Sequence, residues 1–210
     1  LATGKYIAFV DSDDSLTPNT LSEAMRAIEG AEVVEFPVVQ GYLSKHAQRW
    51  EPTKQTISFE EWMRRNGFTH CYACNKVFAR SLWQDIEFPA GRIFEDIRTI
   101  PRVLQKAKGI RGSRDGAYLY CDRENSISKT LSLDKLQQYV EALLELMSLP
   151  EAAGNTALYL QALNGQISYH RMGGKGRLVP PSKVPWAYVF KQGLTAKQRI
   201  KALWFKLTYR

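Results

Sequence analysis

The apolar run Ile7-Ala8-Phe9-Val10 ends abruptly in Asp11-Ser12-Asp13-Asp14. This is the pattern of a buried strand that delivers acids to the edge of a sheet. Leu21, Ala24, Met25 and Ile28 then recur at helical spacing and stop at Gly30, with the helix start at Thr17, before Pro18, or slightly later. Ala31 to Val39 reads as one strand, and residues 41–56 as a hairpin or excursion. Ser58-Phe59-Glu60-Glu61 opens a helix with Trp62 and Met63 on its buried side. Cys71 to Phe78 predicts a strand, and Arg80 to Trp83 a short turn or helix. Ile97, Ile100, Leu104 and Ala107 mark a helix ending near Gly109, in which Pro101 lies early enough to bend rather than abolish it. Ala117 to Cys121 is a last short strand. Helices follow over Ser132–Leu149, Thr156–Tyr169 and Ala196–Tyr209, interrupted by Gly173-Gly174-Lys175-Gly176 and Pro180-Pro181.

With 210 residues, 44% of them hydrophobic, the chain can bury one large domain, or one domain and an appendage. No stretch approaches the roughly 20 apolar residues of a membrane span, and the first residues do not read as a signal peptide. Three cysteines, an odd number, argue against a disulfide framework and for a reducing cytosol. The net charge of +8 is unevenly placed: Ala152 to Arg210 holds ten Lys or Arg and no Asp or Glu, which leaves residues 1–151 at −2. The chain opens on Leu1 and is inside a buried strand within ten residues. Neighbouring strands are therefore expected upstream, two or three βα units of about 30 residues each.

Carboxylates crowded as in Asp11-Ser12-Asp13-Asp14 repel one another and are costly to desolvate. A divalent cation with a bound phosphate removes that cost, and hard cations take oxygen ligands. The alternative is an acidic turn in which Asp14 or Ser15 caps the next helix. The box is not an EF-hand, because its sixth position is Leu16 and its twelfth is Ser22. Cys71 and Cys74 have CxxC spacing without a second pair, which disfavours zinc.

Several motifs together resemble the family 2 glycosyltransferases of bacterial capsule, exopolysaccharide and cell-wall glycan synthesis. They are Ala2-Thr3-Gly4-Lys5-Tyr6-Ile7, the Asp11-Ser12-Asp13-Asp14-Ser15-Leu16 box, Cys74-Asn75-Lys76-Val77-Phe78 with Ala79-Arg80-Ser81-Leu82, Phe88 to Asp96, Tyr118-Leu119-Tyr120, and Arg123-Glu124-Asn125-Ser126-Ile127-Ser128. The resemblance covers about residues 1–130. It implies an α/β GT-A fold, a Rossmann-like mixed sheet flanked by helices and lacking the N-terminal nucleotide-base half, with a basic helical extension over residues 131–210. It also implies inverting transfer from a nucleotide sugar, expected to be UDP-linked, to a glycan or lipid-linked acceptor, with Mn²⁺ or Mg²⁺ as cofactor. In this reading Asp13 binds the metal, Asp11 lies near the ribose and sugar, and Asp14 is a third acid of the same site. The base falls to the Glu95-Asp96 pair, Asp96 foremost, although the helix macrodipole alone also favours acids in a first turn. Arg123 and Ser126 would hold the diphosphate, or else form a loop capped by its own serines. Lys76 would face phosphate or acceptor, or pair with an acid.

Two other readings compete. A haloacid-dehalogenase-like phosphatase also presents Asp-x-Asp after an apolar strand, here Asp11 and Asp13, but needs a later acidic metal loop that Glu95-Asp96 suits poorly. Nucleic-acid binding would draw on the basic end, but no recognition motif supports it. In that end Ile200, Leu203, Trp204 and Leu207 fall at i, i+3, i+4 and i+7. Residues 184–210 therefore suit an amphipathic helix on an anionic membrane or one packed back on the protein. The expected location is the cytoplasm, peripheral to the inner membrane face.

Overall fold

The computed structural model describes residues 2–42, 45–121, 132–180, 186, 190 and 194–208. The chain forms two compact units. One comprises Leu1–Phe88 with Thr99–Thr130, the other Pro89–Arg98 with Leu131–Arg210.

The first unit holds two four-stranded sheets. In one, β1 (Tyr6–Ala8), β6 (Lys76–Ala79), β3 (Val33–Glu35) and β7 (Ile110–Gly112) lie in that order. β6 runs antiparallel to both neighbours, and β3 parallel to β7. In the other the order is β2 (Ser15–Leu16), β8 (Tyr118–Tyr120), β4 (Val38–Gln40) and β5 (Gln48–Trp50). One apolar cluster joins them: Val34, Val38, Val77 and Tyr118, one from each of four strands, pack with Phe36 and with Ala24 of α1 (Thr20–Ala27).

The single strand expected over Ala31–Val39 is in fact two, in different sheets. Pro37 has no N–H to give a ladder, so pairing breaks there, and the chain crosses from one sheet to the other. The crossing is pinned by Phe36 N to Asn75 O at 2.9 Å and Tyr118 N to Pro37 O at 2.7 Å. Residues 41–56 do return as a hairpin, β5 pairing antiparallel with β4. β6 begins only at Lys76, five residues later than expected. The Lys76 ammonium is the reason: it folds back to donate to the His70 and Tyr72 carbonyls, at 2.9 and 2.8 Å, and so holds the preceding residues in a turn. β7 was not foreseen, because a three-residue segment with one large apolar side chain carries no periodicity to read.

Helix α2 (Phe59–Arg64) starts as expected, with Ser58 Oγ accepting from Glu61 N at 3.2 Å. Helix α1 starts at the later of the two expected positions. Its N-cap is Asn19, in left-handed backbone with φ 67° and no side-chain cap. The Thr17 and Thr20 hydroxyls instead both accept from Ala117 N, at 2.9 and 3.0 Å, tying the helix start to the entry of β8.

Helix α3 (Glu95–Lys106) continues through Pro101. Its first four residues group with the second unit and the remainder with the first. In the second unit, α4 (Leu133–Met147) is capped by Ser132 and α5 (Thr156–Arg171) by Asn155. The two pack closely at Gly165, where a Cβ would lie 2.7 Å from Val140 Cγ2. Ile93 N donates to Gln138 Oε1 of α4 at 3.1 Å, and Arg98 pairs with Glu145. The fully buried Gln166 accepts from Leu178 N and Val179 N at 2.6 and 2.9 Å, which anchors the chain beyond the glycine-rich segment. Helix α6 (Ala196–Thr208) opens with a reciprocal capping box: Thr195 N donates to Gln198 Oε1 and Gln198 N to Thr195 Oγ1.

A buried ion pair joins the two central strands of the first sheet beside the Pro37 crossing. Lys76 and Glu35 are both almost solvent-free and lie 3.3 Å apart, with Trp62 Nε1 donating to the same Glu35 oxygen at 3.1 Å. Removing one partner strands the other charge, which typically costs about 3–5 kcal/mol. Lys76→Met is therefore expected to lower unfolding free energy by about that much, and adding Glu35→Gln to recover part of it. Chemical denaturation of the three variants measures this; a wild-type midpoint for Lys76→Met contradicts it. Nearby, the His70 ring stacks on Trp50 with centroids 4.1 Å apart. Burial, and then the Lys76 charge, lower its pKa from 6.5 to about 4. The unfolded chain thus takes up this proton first, so stability is full above pH 6.5 and falls as pH drops from 6.5 toward 4. His70→Phe, which keeps an aromatic ring against Trp50, should flatten that decline in Tm; an unchanged slope contradicts the assignment.

Candidate active site

The chain leaves β1 after Ala8 and turns at once. Asp14 N donates to Asp11 O at 3.1 Å, closing a four-residue turn over Asp11-Ser12-Asp13-Asp14, and β2 follows directly. β2 pairs with β8 in a register that sets Leu16 opposite Tyr118. That register brings the Tyr118 hydroxyl under the turn. It donates to Asp14 Oδ2 at 2.6 Å and accepts from Asp11 N at 3.3 Å, with Asp11 Oδ2 also 3.3 Å away. The other Asp14 oxygen, Oδ1, accepts from Cys121 N at 2.7 Å. Burial, reinforced by the Asp14 acceptor, pushes the Tyr118 phenol far above its usual pKa, so it remains a donor at all ordinary pH.

The acids of the turn are thereby divided. Both Asp14 oxygens are committed to the fold. Asp11 is exposed and Asp13 half-buried. Among the described residues no group of three or more His, Cys, Asp or Glu is arranged to hold a metal ion. Two carboxylates on a rigid turn nevertheless suit Mg²⁺ or Mn²⁺. Such ions keep several waters and commonly bind through one or two carboxylates plus substrate phosphates, rather than in an all-protein cage.

The remaining candidate residues are distributed as follows. Lys76 is completely buried and shared among two backbone carbonyls, Asn75 Oδ1 at 2.7 Å and Glu35. Of the alternatives open in the sequence, it does what pairing with an acid requires. Arg123 and Ser126 lie outside the described residues. Glu95 and Asp96 form the first turn of α3 and are placed with the second unit, Glu95 exposed and Asp96 half-buried.

Two residues of this arrangement had no role assigned from sequence. Tyr118 is one; the alternation Tyr118-Leu119-Tyr120 signals a strand but not its register against β2. Phe94 is the other. It has φ 58°, a left-handed conformation costly for a bulky residue, immediately before Glu95-Asp96. Its ring packs on Tyr139 with centroids 5.0 Å apart, which holds the strained residue in place and sets where α3 begins. No sequence signal marks it, since positive φ is ordinarily announced by Gly or Asn.

Comparison with known proteins finds similarity to glycosyltransferases. Residues 1–86 match the model described as Glycosyl transferase family 2, a span that includes β1, the acid turn and β6. This stretch of the chain is similar to glycosyl transferase family 2. The chain is also 26% identical over 144 residues to Glycosyltransferase GlyG of Streptococcus pneumoniae serotype 4, spanning 62% of this chain and 48% of that protein. Among solved structures, S. aureus TarS 1–349 matches with a TM-score of 0.55 at 20% identity, over 96% of this chain and 55% of that one. The chain thus spans about half the length of these relatives. The expected GT-A fold stands, a mixed α/β fold with helices flanking mixed sheets. The matched residues include Asp11 and Asp13, which favours the glycosyltransferase reading of these acids over the phosphatase one.

If Tyr118 holds the turn, Tyr118→Phe leaves Asp14 without its shortest hydrogen bond. The expected loss is about 1–3 kcal/mol in unfolding free energy, read by thermal or chemical denaturation. Unchanged stability would show that the turn is held by other means.

Proposed function

We propose that this chain is part of a family 2 glycosyltransferase and acts in inverting glycosyl transfer from a nucleotide sugar, UDP-linked by expectation, to a glycan or lipid-linked acceptor of surface polysaccharide. The observation that carries this reading is the acid turn fixed at the end of β1, within the segment that matches the family. The glycosyltransferase named among its relatives supports the same reaction class.

Asp13 is the proposed metal ligand, with Asp11 beside it toward the ribose and sugar. A divalent cation held there would supply neutralising charge to the diphosphate as the glycosidic bond to it breaks. Arg123 and Ser126 would add charge-assisted hydrogen bonds to the same phosphates. Asp96, with Glu95 beside it, is the proposed general base. Its carboxylate takes the proton of the acceptor hydroxyl while that oxygen bonds to the anomeric carbon, and the nucleoside diphosphate departs with the electron pair from the opposite face. Asp14 contributes by holding the turn, and Lys76 by holding the chain that leads into β6. Among the described residues no helix is long and apolar enough to cross a membrane. A lipid-linked acceptor would be met at a membrane surface, and residues 184–210 are the proposed membrane contact.

The test uses the full-length protein with a panel of nucleotide sugars and Mn²⁺, reading release of the nucleoside diphosphate. Asp13→Ala and Asp96→Asn are each expected to lower kcat by at least about a hundredfold. Wild-type rates in either variant contradict the assignment of that residue.

A further inference from the structure

Helix α6 has two apolar faces, one buried and the other largely exposed. At 3.6 residues per turn, Ala202 and Phe205 share one side, and both are completely buried. Arg177 lies over the Phe205 ring at 5.3 Å, and Lys201 Nζ reaches Asn164 of α5 at 3.0 Å, so this side is the one docked on the protein. Ile200, Leu203, Trp204 and Leu207 line the opposite side and are 67, 39, 46 and 57% exposed. Packing back on the protein therefore buries one face, while the more apolar stripe stays substantially exposed. A stripe of four large apolar side chains on one helix is more than the scattered exposed residues usual on a soluble surface.

The flanks of the stripe indicate its occupant. Lys197 and Lys201 fall on one side of it, Arg199 and Lys206 on the other. Lys206 also sits 5.3 Å over the ring of Trp186, which is itself half exposed. Long cationic side chains bordering an apolar stripe, with tryptophan at its edge, can seat the apolar groups among acyl chains while their charges stay at the headgroups. No Asp or Glu occurs from Ala152 to Arg210, against ten Lys or Arg. Two copies meeting through this face would bring like charges together, whereas an anionic lipid surface complements them.

We propose that α6 is an interfacial helix that docks this protein on an anionic membrane surface through Ile200, Leu203, Trp204 and Leu207. The proposal rests on the glycosyl-transfer reading only in giving the docking a purpose, since it places the enzyme where lipid-linked acceptors are found. Binding itself is measured without any sugar.

The test is co-sedimentation of the full-length protein with vesicles of phosphatidylcholine alone and of phosphatidylcholine mixed with phosphatidylglycerol. Wild type should bind the anionic vesicles, bind the neutral ones far less, and weaken as salt rises from about 0.1 to 0.5 M. The exposed-face variant Ile200→Ser/Trp204→Ser/Leu207→Ser should lose at least about tenfold in vesicle affinity with an unchanged melting curve. Lys197→Glu/Arg199→Glu should lose the preference for anionic lipid. Equal binding to both vesicle types, or unaltered binding by the triple variant, overturns the proposal. A concentration-dependent dimer that the triple variant abolishes, in a protein that ignores vesicles, also overturns it and gives the face to a second copy. Transfer to a soluble acceptor separates the two readings: the triple variant should retain it, while Asp13→Ala should lose it and still bind vesicles.

Discussion

One hydroxyl organises the acid turn. Tyr118, brought up from β8, accepts from the Asp11 amide and donates to the Asp14 carboxylate, while Cys121 N occupies the other Asp14 oxygen. Asp11-Ser12-Asp13-Asp14 would otherwise be a turn of mutually repelling charges, free to sample many arrangements. The tie spends one acid on structure and leaves Asp11 and Asp13 on a rigid turn. It also fastens the exit of β1, in one sheet, to β8 in the other. The shared cluster of Val34, Val38, Val77 and Tyr118 buries the lower half of the same tyrosine, so core and site depend on one side chain.

Much of this was legible in the sequence, and the parts that were not share a physical cause. An apolar run ending in acids is a local pattern, so β1 and the turn could be read directly. The strand, however, lies at the end of its sheet and is half-exposed, not buried as expected. Helices α2, α4 and α5 follow from caps at Ser58, Ser132 and Asn155 and from helical spacing. What escaped depended on contacts between distant segments. The break at Pro37 matters only because two sheets exist to cross between. Lys76 delays β6 because its ammonium finds carbonyls at His70 and Tyr72. Tyr118 acts through the register of β2 on β8, and Phe94 through a ring on α4. None of these partners is announced by spacing along the chain.

The division of acids also refines the chemistry. The sequence resemblance assigns Asp13 to the metal, Asp11 to the ribose and sugar, and Asp14 to the same site as a third acid. The hydrogen bonds engage both Asp14 oxygens in the fold and bring the Tyr118 hydroxyl to Asp11 Oδ2 as well, while Asp13 is the proposed ligand of an ion that completes its shell with water and phosphate. The basic C-terminal stretch divides in a similar way. A single heptad-like stripe reads as one amphipathic face, but α6 buries a different pair of residues and leaves that stripe outward.

The central claim is that this turn seats the cation that grips the donor diphosphate. Crystals of the full-length protein soaked with Mn²⁺ and a nucleoside diphosphate, examined by anomalous scattering, test it most directly. The account predicts a manganese peak within coordination distance of the Asp13 carboxylate and of the diphosphate oxygens, with Asp14 still bonded to Tyr118. A manganese ion bridging the diphosphate to other residues, with Asp13 turned away from it, would contradict the account.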